Sequence, residues 1–432
     1  MGLGRRSRLR EGHGLTEAAE PSGDSAGALL RERDYMFFLA ARICDVLGVV
    51  TQSVTMGWQV YDLARATHGI AQSAWFVGLL GLATFLPLFA LALPAGVATD
   101  RYNRRAVFIA CLLAEAACAA ALVAAAMLGV LSVNGLIGIA FAFGIARAFR
   151  APAGVAMAPM LVPRPLLPRA IAWNSLTFQI GSISGPAVAG MLVARWSSAL
   201  SYGVSFGFYT AAVVALLFIM KSTRPQMQPG SRWTQVKEGL AYIRDNQVVL
   251  GAISLDLVAV LLGGATALLP IFARDVLNVG AEGFGWLRAA PAIGAAVVAV
   301  WLASHPIRHR AGFALFAGVI VFGVATVIFG VSTSFWLSIL ALATLGGADM
   351  VSVYVRQTLM QIVTPDAMRG RVAAVSFLFI GASNELGEFE SGVTARLFGP
   401  VLAAILGGVG CLAVTGFWAK MFPELRSFDR LE

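Results

Sequence analysis

Charged residues are scarce in this sequence. Asp, Glu, Lys and Arg make up 13% of its 432 residues, against roughly 25% in an average soluble domain. Apolar residues reach 58%, and the mean hydropathy is +0.78. This composition excludes an ordinary water-soluble globule and predicts an all-α integral membrane protein.

Histidine and cysteine are also rare, with four of each. The histidines fall outside the apolar runs, and the cysteines fall inside them without metal-ligand spacing, so we expect neither disulfides nor a metal site. No Gly-x-x-x-x-Gly-Lys-Ser/Thr stretch occurs, which argues against direct use of ATP. An enzyme is not expected. We predict that the proton-motive force, and no cofactor, supplies the energy.

Twelve apolar runs are long enough to cross a bilayer core of about 30 Å. Residues 1–33 lack a signal-peptide core and are predicted to form a disordered cytoplasmic tail. Two six-helix bundles are predicted at 34–220 and 247–423, with a second cytoplasmic tail at 424–432. The intervening linker, 221–246, spaces Trp233, Val236, Leu240 and Ile243 as in a helix that lies on the membrane surface.

Lys and Arg concentrate in the breaks on one side of this topology. Because positive charge collects in cytoplasmic loops, the pattern predicts that both termini are cytoplasmic. The opposite face keeps about five basic residues: Arg65, Arg195, Arg274, Arg288 and Arg396. The net charge of +9 is therefore explained by topology, and no nucleic-acid partner is expected. The bilayer, a small-molecule substrate and protons are the expected partners of a monomer.

The two halves show an internal repeat. A shift of 202 residues superimposes several residues of spans four and five on spans ten and eleven without a gap. The superimposed pairs are Gly144 with Gly346, Pro163 with Pro365, Arg169 with Arg371, Gly185 with Gly387, and Gly190 with Gly392. Two related six-helix halves with binding at their interface is an arrangement used by secondary transporters.

The hydrophilic break after span two reads GVATDRYNRR. It resembles the signature loop of the major facilitator superfamily, with Gly96, Asp100, Arg101, Arg104 and Arg105 in the matching places. The resemblance implies that Asp100 gates the cytoplasmic side. A carboxylate near a helix N-terminus or an Arg contributes roughly 0.3–2 kcal/mol. The alternative is that the arginines only fix topology.

Span five contains GSISGPAVAG, which is similar to the antiport-associated motif of superfamily exporters. Gly181, Gly185 and Gly190 permit close helix contact, and Pro186 removes a backbone donor. Helix packing alone is the alternative explanation. The stretches WQVYDLAR, RAFRAPAG and RQTLMQIVTPDAMRGRVAAVS extend the resemblance to the bacterial enterobactin exporter and drug efflux branch. The implied fold is the twelve-helix major facilitator fold of two pseudo-symmetric bundles.

Ionisable and polar residues within spans are functional candidates because they are costly in lipid. Span one spaces Asp45, Gln52 and Gln59 by seven residues as one polar stripe, which either faces substrate or forms a buried network. The other substrate or cavity candidates are Arg42, Arg147, Arg150, Gln179, Asp256, Asp349, Arg356 and Asn384. Arg147 and Arg150 lie near the place where the family has a motif with an intramembrane arginine implicated in proton transfer. The usual Arg-x-x-Gln-Gly form of that motif is absent here, so the resemblance does not imply a proton role for either arginine.

Span eleven carries the acidic stretch NELGEFESG. Glu385 and Glu388 share a helix face, and one of two adjacent carboxyl groups in a low-dielectric site tends to hold a proton. With Asp45, they are the proton-coupling candidates. The competing interpretation is a structural ion pair between Glu388 and Arg356.

These observations predict an exporter of a drug, toxin or siderophore in the bacterial inner membrane, working by proton antiport. The alternatives are a proton-coupled uptake symporter and a membrane receptor or assembly subunit that does not transport.

Overall fold

The computed structural model describes residues 29–223 and 232–430. Most of the predicted first tail, 1–28, lies outside the described residues. The described residues form helices, turns and bends, and they contain no strand. Long apolar runs favour helices because a helix satisfies all of its own backbone hydrogen bonds, as a lipid environment requires.

The first half of the chain forms six long helices. Their bounds are α1 Arg33–Arg65, α2 Ile70–Ala90, α3 Arg104–Met127, α4 Val133–Leu161, α5 Leu167–Arg195 and α6 Ser198–Leu217. After a break at Leu91, α2 continues as a short helix, Ala92–Arg101. The motif expected in a loop therefore lies mostly on a helix, and that expectation is wrong. Only Tyr102 and Asn103 separate this extension from α3.

The second half repeats the plan. Its helices are α7 Gln247–Val276, α8 Gly280–Ser304, α9 Ala311–Val331, α10 Phe335–Val363, α11 Asp366–Phe398 and α12 Pro400–Met421. Eleven helices of the described chain are long and apolar enough to cross a membrane. The twelfth is α11, which holds the acidic stretch. The prediction of twelve helices is confirmed.

Helix α7 is discontinuous. Its regular part ends at Leu262, and 3-10, short α and π turns follow as far as Val276. The break falls at Gly263 and Gly264, where other helices approach closely. A Cβ atom at Gly264 would lie 2.6 Å from the Gly387 carbonyl oxygen. No side chain fits there, so the pair of glycines permits the break.

The repeat seen in the sequence produces equivalent helix contacts. An added Cβ at Gly144 of α4 would lie 2.6 Å from the Thr84 carbonyl oxygen of α2. At the superimposed position, Gly346 of α10 meets the Pro291 carbonyl oxygen of α8. The fourth helix of each half therefore packs on the second helix through the same glycine.

Two glycine crossings join the halves. A Cβ at Gly190 of α5 would lie 2.8 Å from Gly285 Cα of α8, and one at Gly392 of α11 would lie 2.5 Å from Gly78 Cα of α2. Because Gly190 and Gly392 are superimposed by the repeat, the two crossings are related by pseudo-symmetry. They place α5 against α8 and α2 against α11.

We call the face on which the described chain begins at residue 29 and ends at residue 430 the tail face, and the opposite one the far face. The linker helix, Arg232–Asp245, packs at the tail face with Ile243 buried, and Tyr242 donates to the Val363 carbonyl. The second predicted tail is folded as far as residue 430. It contains the helix Pro423–Ser427, and Leu425 is buried against Gly251 and Gly312.

The segment that follows the sixth helix of each half caps the third helix of that half. The amide of Arg104, at the start of α3, donates to the Thr223 carbonyl at 3.3 Å. In the second half, the amide of Gly312 near the start of α9 donates to the Phe428 carbonyl at 2.8 Å. First-turn amides lack partners within a helix, so each cap satisfies otherwise unpaired donors.

Candidate functional site

A charged contact joins the two halves near the middle of the helices. Arg147 Nη2 of α4 lies 3.2 Å from Glu385 Oε1 of α11, and the Thr84 hydroxyl of α2 donates to Glu385 Oε2 at 3.0 Å. The side chains of Arg147 and Glu385 are 23% and 16% exposed. An ion pair with this limited access to solvent links the bundles directly, and it is held by charge instead of by close packing.

A second ion pair lies one helical turn further along α11. Arg288 Nη2 of α8 lies 3.3 Å from Glu388 Oε1, and Arg288 also donates to the Thr266 carbonyl at 3.3 Å. Arg288, counted in the sequence among the basic residues of the opposite face, lies within α8. The alternative pair of Glu388 with Arg356 is wrong, because Arg356 contacts Asp256 at 3.2 Å.

Asp45 lies in a separate cluster inside the first bundle. Its oxygens contact Arg42 Nη1 at 2.6 Å and Arg150 Nη1 at 2.5 Å, while Arg150 Nε lies 2.9 Å from Glu115 Oε1 of α3. Asp45 and Glu115 are fully buried. Sequence reasoning missed Glu115, although an acidic residue within the apolar run LLAEAAC meets the same criterion that selected Asp45.

The remaining residues of the predicted polar stripe also lie within the first bundle. Gln52 is fully buried, and its side-chain amide has no hydrogen-bond partner among the described residues. Gln59 accepts a hydrogen bond from the Tyr202 hydroxyl at 2.6 Å. Gln179 of α5 instead crosses to the other half and donates to the Ala292 carbonyl at 2.6 Å, and Asn384 is exposed.

Two arginines of the GVATDRYNRR segment, Arg104 and Arg105, donate to backbone carbonyls of their own bundle. Arg104 donates to the Ala156 carbonyl of α4 at 3.0 Å, and Arg105 donates to the Ile219 carbonyl after α6. Asp100 is partly buried in the last turn before Tyr102, and Arg101 is exposed. The arginines therefore fasten α3 to the ends of α4 and α6.

The GSISGPAVAG motif packs α5 against two helices. Gly181 and Gly185 face Val46 and Val50 of α1, and a Cβ at Gly185 would lie 2.7 Å from Val50 Cγ1. Gly190 forms the crossing with α8 described above. On the same side of α5, the Pro186 carbonyl would lie 2.6 Å from a Cβ added at Gly285. The motif thus serves close contact both within its bundle and between bundles.

Ion pairs also join the halves at the far face. Arg65 Nη2, at the end of α1, lies 3.1 Å from Asp275 Oδ1, at the end of α7, and Tyr61 donates to the same carboxylate. Next to them, Arg274 pairs with Asp62. We call these five residues the far-face gate. Together with the two glycine crossings, these residues hold the two halves in contact at this face.

Asp275→Asn is expected to weaken the closure. Loss of a charged hydrogen bond of about 1–2 kcal/mol would shift the ratio of closed to open molecules roughly 5- to 30-fold. The measurement is the distance between spin labels on cysteines introduced at Thr67 and Thr333, with the four native cysteines replaced by alanine. Glu282→Gln is the matched control, because its pair with Arg195 is long, at 3.8 Å, and exposed. Equal distance distributions in both variants would contradict the gate.

Among the residues that the structure describes, no group of three or more His, Cys, Asp and Glu side chains could hold a metal ion. The four cysteines are free thiols. The chemistry offered by the central site is therefore that of two carboxylates and two guanidinium groups, arranged as pairs that a proton or a polar substrate can break.

The chain is similar to known proteins over most of its length. Residues 24–432 match the family described as transmembrane secretion effector. Enterobactin exporter EntS from Shigella boydii serotype 4 is 27% identical over 365 residues, which cover 83% of this chain and 86% of the relative. The EntS of Escherichia coli O1:K1 gives the same figures.

Solved structures show the same fold at low identity. A bacterial homolog of the human lysosomal transporter Spinster, in an inward-facing and unoccupied conformation, gives a TM-score of 0.72 at 13% identity, covering 91% of this chain and 98% of that one. A D-xylose-proton symporter gives 0.70 at 13% identity, with coverage of 91% and 99%.

Proposed function

The chain belongs to the transmembrane secretion effector family, a major facilitator family, and on this premise we propose that it exports a small organic molecule by proton antiport. The family and fold make it a transporter that spans the membrane many times, and the resemblance drawn from its motifs is confirmed. The proposal places it in the inner membrane of a bacterium, with the tail face and both termini in the cytoplasm.

The observation that carries the proposal is the contact of Arg147 with Glu385 across the halves. While Glu385 is ionised, this ion pair favours the conformation in which the far face is closed. A proton on Glu385 removes its negative charge and the attraction of the pair. Protonation therefore changes the relative stability of the two conformations, as coupling to a proton gradient requires.

Competition between proton and substrate for the same carboxylates gives antiport. Ionised Glu385 and Glu388 accept hydrogen bonds from hydroxyl or ammonium groups of a substrate that enters from the cytoplasm. A proton that arrives from the opposite side reduces this acceptor capacity and promotes release. Enterobactin, the substrate in the name of the similar exporters, is the first compound to test.

The function is tested in inverted membrane vesicles that contain the protein, energised to an acidic interior. Accumulation of enterobactin, or of a cationic dye such as ethidium, is expected, and a protonophore should abolish it. Accumulation by right-side-out vesicles with an inward proton gradient would instead indicate an uptake symporter. The absence of transport for both compounds in either orientation would contradict the export of these two classes.

A further inference from the structure

An apolar groove lies on the outer side of the second bundle, between α8 and α9, and α10 forms its floor. Its volume is about 660 Å³, within the range of about 300–1,000 Å³ that is typical of ligand pockets. The rim residues Val297, Trp301 and Val321 are exposed. Because the main contacts of α9 are with α10 and α12, the groove opens away from the first bundle and toward the lipid.

The lining of the groove suits a hydrocarbon chain. Among the described residues that line it, none is ionisable, and Thr344 alone has a hydroxyl group, which donates to the Leu340 carbonyl at 2.8 Å. Asp256 and Asp349 line a separate cavity of about 10 Å³ inside the bundle. Apart from the indole of Trp301 at one end, the groove therefore offers dispersion contacts and no hydrogen bonds.

Small residues on α10 create the groove. The shift of 202 residues pairs Ala343 and Gly347 of its floor with Phe141 and Ile145 of α4. Phe141 and Ile145 are 42% and 38% exposed, so the first bundle presents large side chains where the second has almost none. The pseudo-symmetry of the halves fails at this surface. The groove is therefore a property of the second bundle and not a general consequence of the fold.

The loop between α8 and α9 lies at the tail-face end of the groove. It reads HPIRHR over residues 305–310 and contains no acidic residue. Ile307 lines the groove and is followed directly by Arg308. Trp301, which also lines the groove, stacks on His305 with ring centroids 5.4 Å apart. Tryptophan is typical of the membrane interface, so this stack lies at the level where lipid head groups begin.

The loop keeps a net positive charge after its acidic contact is counted. The Arg310 amide donates to Asp429 Oδ1 at 2.8 Å, and the other oxygen of this carboxylate lies 3.9 Å from His309 Nδ1. Arg308 and Arg310 together with Asp429 leave one positive charge, and protonation of a histidine would add to it. Basic sites next to transmembrane helices attract anionic head groups.

We propose that the groove binds one anionic phospholipid, with an acyl chain between α8 and α9 and its phosphate beside Arg308 and Arg310. An empty groove would forfeit contacts on one side of every lining residue, so a chain from the surrounding bilayer fills it. The basic loop then selects among lipids, because a zwitterionic head group gains less from the positive charge. This site lies apart from the ion pairs between the halves, and its occupancy does not require transport.

The experiment measures lipid retention by native mass spectrometry of the purified full-length protein. The protein is mixed with equal concentrations of phosphatidylglycerol and phosphatidylcholine in detergent. Retention of one phosphatidylglycerol molecule is expected. Ala343→Phe, which introduces the residue found at position 141, should weaken this retention roughly tenfold or more because the ring occupies the space of the chain. Val297→Trp at the exposed rim should act in the same direction without altering the packed floor.

Val300→Phe is the matched control for the groove, since Val300 is exposed on α8 outside the lining. It should retain the lipid. The double variant Arg308→Gln with Arg310→Gln should lower the preference for phosphatidylglycerol roughly 10- to 30-fold, at about fivefold for each arginine. Arg164→Gln with Arg169→Gln, at exposed positions of the tail face in the first bundle, should leave the preference unchanged.

Equal retention of the two lipids, or unchanged retention in both groove variants with normal melting temperatures, would overturn the proposal. A dimer that Ala343→Phe dissociates would overturn it in favour of a second copy of the chain in the groove. A preference that survives in the double arginine variant would show that the loop does not hold the head group. Failure of vesicle transport while the lipid remains bound would contradict the antiport proposal alone.

Discussion

Replacement of Glu385 by Gln is expected to abolish proton-driven accumulation of substrate while exchange of internal for external substrate continues. Glutamine keeps the size of the side chain and the contact with Thr84, but it cannot take up or release the proton. The contact with Arg147 loses its ion pair, which contributes roughly as much as a hydrogen bond to a charged group, about 1.5–3 kcal/mol. This corresponds to a shift of about 10- to 100-fold in the ratio of the two conformations.

Glu390→Gln is the matched control for that substitution. Glu390 lies on the same helix and accepts a hydrogen bond from Thr394 of α11 at 2.6 Å, so its loss should leave accumulation within about twofold. The double variant Glu385→Gln with Arg147→Gln should be no worse than the single variant, because both remove one interaction. Full accumulation by Glu385→Gln in energised vesicles would show that another group carries the transported proton.

Gly392→Val is expected to prevent closure of the far face. A Cβ atom at this position would lie 2.5 Å from Gly78 Cα, and the obstructing atoms belong to backbone that cannot rotate away. Overpacking of this kind costs about 1–3 kcal/mol or more. The closed conformation should therefore lose roughly 5- to 100-fold in population. The spin-label distance between Thr67 and Thr333 is expected to lengthen, and transport should fall by a similar factor.

Pseudo-symmetry predicts the same result for Gly190→Val at the other crossing. Gly416→Val on α12 is the matched control, since a Cβ atom there would have no neighbour within 4 Å. If the far face closed normally in the Gly392→Val variant, the contact between α2 and α11 would have to be looser than the structure shows.

Much of the fold was predictable because lipid imposes simple rules on sequence. Apolar runs alone indicate twelve helices, and the shift of 202 residues places Gly190 and Gly392 at equivalent sites. The interruption of α7 was not predictable, because Gly263 and Gly264 are common residues in membrane helices. Only the positions of α9 and α11 in space show why glycine is needed there.

The charged sites were predictable as candidates but not as pairs. Glu385, Glu388 and Asp45 are unusual in apolar spans, so sequence alone selects them. Their partners depend on which helices become neighbours, and periodicity within one helix cannot supply that information. Arg356 illustrates the point: one of two open interpretations paired it with Glu388 of α11, whereas in the folded chain it contacts Asp256 of α7.

The capping of α3 and α9 has a consequence for the order of biosynthesis. The Arg105 amide at the start of α3 donates to the Thr223 hydroxyl, which lies 118 residues later in the chain. The Arg310 amide just before α9 donates to the Asp429 carboxylate, which lies 119 residues later. At roughly 5–20 residues per second, a ribosome needs on the order of ten seconds to supply each partner. Each bundle is thus complete only after translation has supplied its capping residue, Thr223 in the first bundle and Asp429 in the second.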